Sequence, residues 1–255
     1  MGKGFDNRQK IILDCLQKYS EVKVSTLVEL TGAAIATIRR DLLEMEKRNQ
    51  LVRTFGGARA IDVPSLVERT FEERLRHSNE EKMRIAAKAA ELVEPGMTIV
   101  IDSGTTCWTL VKHLKSKAPL RIFTSALAVI EDLGSVEGIE INLVGGRFRI
   151  ENLDFFGPSS IKSFGQFHAD VAFLSCDGLL PDKGAYSHDN ETAAMSQAML
   201  ECASKHILLC DSTKIGRAAT FLIMHPREID VLVTDKPNPE LASVKYTVLV
   251  PDTIN

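Results

Sequence analysis

The sequence predicts an α/β protein in two parts: an N-terminal winged helix-turn-helix, then a larger domain built on a largely parallel sheet. Three observations predict this. Over residues 1–60, apolar residues recur at helical spacing in three short stretches and end in a glycine-tipped hairpin pattern. From Lys82 onward, short apolar runs alternate with helical stretches, as in βαβ units. Charge divides at the same place. Residues 1–60 carry eleven Lys/Arg against seven Asp/Glu, a net +4 in a chain of net charge −3, which leaves −7 for the remainder. A basic head on an acidic body directs attention to nucleic-acid binding in the head.

In the head, a first helix is expected around Asp6–Lys18, where Ile11, Ile12, Leu13 and Leu16 share an apolar face. Tyr19–Val24 reads as an extended link. Ser25 is the expected cap of a second helix through Thr26–Leu30, and Thr31-Gly32 its stop, because glycine tolerates the left-handed conformation. A third helix, Ala34–Arg48, sets Ile38, Leu42 and Met45 at i, i+4 and i+7 and leaves Arg39 and Arg40 off that stripe. Asn49 suits the left-handed stop. Gln50–Arg53 and Ala58–Ile61 flank Phe55-Gly56-Gly57 as a hairpin. Residues 62–80, charged and containing Pro64, read as a connector.

In the body, Met83–Val93 is an expected helix with Ile85, Ala89 and Leu92 on one side, stopped by Pro95-Gly96. Strands are expected at Thr98–Ile101, Leu120–Thr124, Ile139–Val144, Val171–Ser175, Ile207–Cys210, Val231–Thr234 and Thr247–Val250. Helices are expected at Thr106–Leu114, Ala126–Leu133 and Thr192–Ala203.

Composition narrows the class. Hydrophobic residues make up 44% and charged residues 25%, the balance of a soluble globular chain. No apolar stretch approaches bilayer length, and the N-terminus lacks a secretory pattern, so the expected location is the cytoplasm. The five cysteines are scattered without a C-x-x-C pair and read as buried, reduced thiols. No P-loop, nucleophile elbow or metal-ligand cluster is present in the sequence, and no cofactor or metal is expected.

Two segments carry chemistry. The first is Ala36-Thr37-Ile38-Arg39-Arg40-Asp41-Leu42. In a helix-turn-helix, the N-terminal residues of the second helix face base edges. There Ala36 and Thr37 suit close approach to bases, while Arg39 and Arg40 can grip guanine or hold phosphates. Arg53 and Arg59 flank the wing turn as candidates for backbone contact. The bland alternative is a solvated helix with charge pairs such as Arg40–Glu44.

The second segment is Asp102-Ser103-Gly104-Thr105-Thr106, between an expected strand and helix. Such a loop offers backbone N–H groups and hydroxyls to an anion, phosphate above all; the alternative is an ordinary strand-to-helix turn. Other strand ends bring Thr124 and Ser125, Gly146 and Arg147, Asp177, and Lys214 toward the same end of the sheet, where open α/β sheets bind ligands. Hydroxyls, carboxylates including Glu191, and cations together suit a phosphorylated polyol.

Arg8, Ile11/Ile12, Val24 to Leu27, Thr37-Ile38-Arg39-Arg40-Asp41-Leu42 and Arg53-Thr54-Phe55-Gly56-Gly57-Ala58 fall in the order of the N-terminal signature of the DeoR family of sugar-catabolism repressors, which this sequence resembles. The likeness continues through Glu81-Lys82, Ile85-Ala86, Asp102 to Thr106, Gly145-Gly146, Gly157, Asp177-Gly178, Gly184, Glu191 and Asp211-Ser212-Thr213-Lys214-Ile215-Gly216.

The resemblance implies a DNA-binding head over residues 1–60, a linker over 61–80, and an effector-sensing and oligomerisation domain over 81–255. It further implies operator DNA as partner, a homo-oligomer (dimer or tetramer), and a sensor similar to ribose-5-phosphate isomerase and the glucosamine-phosphate deaminases. The implied inducer is a phosphorylated sugar or sugar acid. Two departures stand out. Ala34 occupies the recognition-helix start where the family commonly has Ser, and a missing cap weakens a helix by about 1 kcal/mol. Tyr186 to Asn190 replaces a hydrophobic-Thr-Thr stretch, and either sets ligand choice or forms a variable loop.

The same kinship makes a sugar-phosphate isomerase or deaminase the main rival, with His188, Asp177 and Glu191 as acid–base groups. An enzyme does not need the basic winged head. A ligand-free DNA-architectural protein, the third reading, does not need the loop at Asp102–Thr106.

Overall fold

The computed structural model describes residues 3–19, 21–48, 50–54, 56–59 and 71–251. The chain divides into two compact units, Met1–Val67 and Glu68–Asn255. Among the described residues, no helix is long and apolar enough to cross a membrane.

The first unit runs α1 (Lys3–Tyr19), β1 (Glu21–Lys23), α2 (Val24–Thr31), α3 (Ile35–Lys47), β2 (Val52–Thr54) and β3 (Gly57–Arg59). Ile38, Leu42 and Met45 of α3 are buried as their spacing predicts, against Ile12 and Leu16 of α1 and Leu27 of α2. Each such side chain contributes about 1.5–3 kcal/mol. Ile11 and Leu13 sit at the margin of this core, and Cys15 is among its buried residues.

Within the expected extended link Tyr19–Val24, Glu21–Lys23 is a strand. Glu21–Lys23 joins an antiparallel sheet of order β1-β3-β2. This also corrects the helix start. The residue capping α2 is Lys23, whose side chain makes no cap bond, and Ser25 lies inside the first turn. The Val24 N–H donates to Gly56 O at 2.9 Å, so the wing backbone, not a serine hydroxyl, fixes where α2 begins. Gly32 ends α2 as expected, at φ 66° with its N–H on Val28 O. Gly57 belongs to β3 instead of the turn. A Cβ there would lie 2.0 Å from Val22 O, so strand approach demands the glycine. Asn49, Phe55 and Ala60-Ile61 lie outside the described residues.

The second unit opens with α4 (Phe71–Arg76) and α5 (Asn79–Ala90). Of the expected connector, residues 61–70 lie outside the described residues. Phe71, in contrast, is buried, with its N–H on Glu151 O at 2.7 Å and its ring edge-on to Trp108 at 6.0 Å. Helix α5 starts four residues before the expected Met83, with Glu80 and Glu81 favourably placed in its first turn.

There follow β4 (Thr98–Ile101), α6 (Thr105–Val111), β5 (Leu120–Thr124), α7 (Leu127–Leu133), β6 (Ile139–Leu143), β7 (Arg147–Arg149), β8 (Asp154–Phe156) and α8 (Pro158–Phe164). The chain continues through β9 (Ala169–Ser175), β10 (Gly178–Leu180), β11 (Gly184–Ser187), α9 (Asn190–Glu201), β12 (Ala203–Leu209), β13 (Phe221–Met224), β14 (Val231–Val233) and β15 (Thr247–Leu249). All seven expected strands enter one sheet of order β15-β14-β12-β9-β4-β5-β6, parallel at every pairing. Alternate residues face opposite layers. Ile99, Ile101 and Phe173 pack with Ile85, Leu110 and Val129 of α5, α6 and α7. Val100, Leu174 and Leu208 pack with Phe164 and Met199 of α8 and α9. Helix α9 stops at Glu201, short of the expected Ala203, because Ala203 already pairs with Ala169.

Two features fall outside the sequence expectation. β7 and β8 form a hairpin, and β10, β11 and β13 form a small antiparallel sheet. Tyr186 to Asn190 is not a free loop: Tyr186 and Ser187 lie in β11, and Asp189 caps α9 by accepting from the Thr192 N–H.

Candidate functional site

On the first unit, the outward side of α3 is a strip of exposed residues. Ala36, Arg39, Arg40 and Lys47 are exposed and Thr37 is half-buried. Among the described residues, Arg39 and Arg40 make no ion pair. The suggested Arg40–Glu44 pair does not form, because Glu44 takes Arg48 at 3.0 Å. Asp41 turns inward: it is buried and accepts from Arg8 Nε of α1 at 2.6 Å, which raises the Arg8 pKa. The Arg-Arg-Asp triplet is thus split, with two cations outside and one structural carboxylate inside. In the wing, Arg53 donates its N–H to Glu46 Oε1 at 3.0 Å, and its guanidinium lies 3.8 Å from Glu46. Arg59 is exposed. The start of α3 carries no side-chain cap, as Ala34 implies.

On the second unit, the sheet order places a topological switch point between β4 and β9. The chain runs from β4 outward to β5 and β6, then returns to β9 on the other side. The expected loop follows β4 at this point. Asp102 is buried, and its Oδ2 accepts from Ser175 Oγ at 2.7 Å and Ser175 N–H at 3.2 Å across the gap between the two strands. Burial pushes the Asp102 pKa up, against the pull of those hydrogen bonds. Ser103 Oγ donates to Asp154 Oδ2 at 2.8 Å. Gly104 precedes α6 with no side-chain cap, and a Cβ there would lie 1.9 Å from Ser175 Oγ. Thr105 and Thr106 are buried in the first turn of α6.

The other expected residues divide. Thr124 Oγ donates to Ile101 O at 2.8 Å and accepts from the Ala126 N–H at 3.0 Å, so its hydroxyl closes the backbone turn. Ser125 is buried, and its carbonyl accepts from Phe155. Asp177 Oδ2 accepts from Ser187 Oγ and the His188 N–H at 3.0 and 2.9 Å. Lys214 Nζ donates to Cys176 O at 2.7 Å and lies 3.8 Å from Asp211. Burial opposes the Lys214 charge, but Asp211 and Asp177 outweigh it and hold its pKa above the ordinary lysine value. Gly146 packs against α8, where a Cβ would meet Ser160 Oγ at 2.1 Å. Arg147 and Glu191 pair with each other at 3.1 Å on the surface, with Arg147 over the Phe156 ring.

Sequence reasoning missed two cations here. Lys82 is only 3% exposed; its Nζ donates to His77 O at 2.6 Å and to Arg74 O. Burial and the nearby Lys214 charge, partly offset by Asp211, bring its pKa down to about 7. Its position beside Glu81 in a shared motif was the available signal. Arg149 clasps Asp154 through Nε and Nη2 at 3.0 and 2.8 Å, reaches Asp189 Oδ2 at 2.6 Å, and touches Thr192 Oγ at 3.1 Å. Its spacing of two from Arg147 was the only local hint.

A winged helix-turn-helix linked to an α/β body with a polar cluster at its switch point defines a ligand-sensing DNA-binding regulator. Comparison with known proteins supplies the family. Residues 8–63 match the DeoR-like helix-turn-helix domain and residues 77–236 match the DeoR C-terminal sensor domain. The chain belongs to the DeoR family of transcriptional regulators. It is 30% identical to a putative aga operon transcriptional repressor of Escherichia coli O157:H7, over 92% of this chain and 88% of that one. It is 30% identical to the HTH-type transcriptional repressor GlcR of Bacillus subtilis, over 91% and 90%. Among solved structures, a D-ribose-5-phosphate isomerase in complex with phospho-erythronic acid is 19% identical, with 54% of each chain covered and a TM-score of 0.40. With this membership the chain is a non-enzymatic regulator, not the isomerase or deaminase weighed as its rival.

Proposed function

We propose that this regulator represses a carbohydrate or sugar-acid catabolic operon in the cytoplasm and is released or modulated by a phosphorylated sugar. The observation that carries the reading is the clustering, at one switch point, of the uncapped loop Asp102–Thr106 with half-buried Lys214 and buried Lys82. An anion bound beside Lys82 favours its charged form, which burial and the Lys214 charge otherwise disfavour. Asp102 and Asp177 supply acceptors for sugar hydroxyls. The relative's role at the aga operon supports the class of target.

In this reading, residues 1–60 bind operator DNA, 61–80 transmit the signal, and 81–255 sense the effector and assemble a dimer or tetramer. Helix α4 is the expected carrier. It is held by Glu151 and by Asn152, whose Oδ1 accepts from Arg74 at 2.5 Å, and by Lys82 at its carboxyl end. Glu151 and Asn152 adjoin Asp154, the partner of Ser103 in the ligand loop. An effector that moves Ser103 or Lys82 therefore disturbs the anchor of α4. Linkage requires DNA and effector to affect each other's affinity by the same factor. Calorimetry of a panel of sugar phosphates, with and without operator duplex, tests this. The reading expects a different effector affinity when DNA is bound, and equal affinities contradict it.

A further inference from the structure

The recognition helix presents an unusual mixture to the DNA side. Its buried stripe is Ile38, Leu42 and Met45, so the opposite side carries Ala36, Arg40, Leu43 and Lys47 with Arg39 at its margin, while Ile35, three residues before Ile38, sits beside the stripe at the helix's N-terminal end. Two large apolar residues of α3 stand exposed: Ile35, in the first turn, at 54% and Leu43 at 39%. Ile35 is the first residue of α3, directly after the uncapped Ala34. The helix end that enters a major groove is thus apolar over Ala34, Ile35 and Ala36, and its guanidinium groups stand a turn further on.

The base edges of the major groove are almost wholly donors and acceptors. The one apolar group they present is the C5-methyl of thymine. An exposed isoleucine at this end gains nothing from guanine, cytosine or adenine edges, and desolvates them without replacing their hydrogen bonds. Against thymine it buries methyl against methyl.

We infer that Ile35 is a specificity-determining residue that reads a thymine methyl group in each operator half-site, beside the position read by Arg39 or Arg40. The inference rests on the DNA-reading role of α3 and adds the base that its apolar end selects. Arg39 and Arg40 supply hydrogen-bonded readout or phosphate grip, and Ile35 supplies discrimination by shape and apolarity alone.

The test uses the full chain. Duplexes are selected from a random library by the native protein, and each thymine of the selected site is then replaced by deoxyuridine, which removes only the methyl. The expected result is one position per half-site where this change weakens binding about fourfold, the value of one buried methyl. The Ile35→Ala protein is expected to bind the thymine and uracil duplexes equally and to keep its affinity for random DNA. Ile35→Val, which keeps the β-branch, serves if Ile35→Ala fails to fold, and is expected to show a reduced thymine preference. Uniform indifference of the native protein to every deoxyuridine overturns the inference, as does an Ile35 variant that discriminates as well as the native protein. Selection of no sequence at all contradicts the DNA-reading role itself.

Discussion

Ser175 Oγ donates to Asp102 Oδ2 at 2.7 Å, joining β9 to the loop after β4 across the point where the sheet's connections diverge. A Cβ on Gly104 would lie 1.9 Å from that hydroxyl and 3.2 Å from Asp102 Oδ2. Gly104→Ala therefore forces Ser175 off Asp102 and leaves a buried carboxylate short of a donor. The expected loss is about 1–3 kcal/mol of stability of the second unit. Urea unfolding followed by Trp108 fluorescence measures it; an unchanged midpoint contradicts the packing argument.

The Arg8–Asp41 pair ties α1 to the recognition helix at 2.6 Å, with Asp41 buried and Arg8 partly exposed. Asp41→Asn keeps the shape and removes the charge. The expected cost is about 1–2 kcal/mol, below that of a fully buried pair because water reaches the arginine. Thermal unfolding of the full chain is the check, with the transition of the first unit expected to move to lower temperature.

Lys82 gives the body a pH dependence of definite sign. Its folded pKa, about 7, lies below the ordinary lysine value of 10.5. Between those values the unfolded chain holds a proton that the folded chain does not. Stability from this group therefore rises as pH increases from about 7 toward 10, by at most about 1.4 kcal/mol per pH unit. Lys82→Met removes that rise, whatever its effect on absolute stability. Unfolding free energies measured across this window for both proteins decide the matter; parallel curves contradict it.

Much of this was legible in the sequence, for physical reasons that differ by element. The inner strand β4 is buried on both faces, so Thr98–Ile101 appears as a short apolar run, and both it and Leu120–Thr124 match to the residue. The stripe of α3 was equally plain. The β7–β8 hairpin was not, because its strands are three residues each and mix Arg, Phe and Asp in Arg147–Arg149 and Asp154–Phe156. Arg149 finds Asp189 forty positions away only once the fold is complete. Lys82 resembles any solvated helix lysine until the carbonyls of Arg74 and His77 fold over it. The cap of α2 was misplaced on Ser25 because the competing anchor, Gly56 O, comes from the wing.

The two units are expected to lose their functions separately. Arg40→Ala removes a cation from the exposed face of α3 and is expected to weaken operator binding by about 10-fold or more, with effector affinity intact. Thr105→Ala alters the buried first turn of α6 and is expected to do the reverse. Paired DNA and effector titrations on each variant check the separation, and a loss of both functions in either one contradicts it.

The most direct test of the central claim is fluorescence anisotropy of the full chain on a labelled duplex from upstream of its own gene. It is run at several salt concentrations, with and without a panel of sugar phosphates. The account predicts salt-sensitive binding that outcompetes random DNA and is altered by one phosphorylated sugar. Failure to bind any duplex, even nonspecifically at low salt, would contradict it.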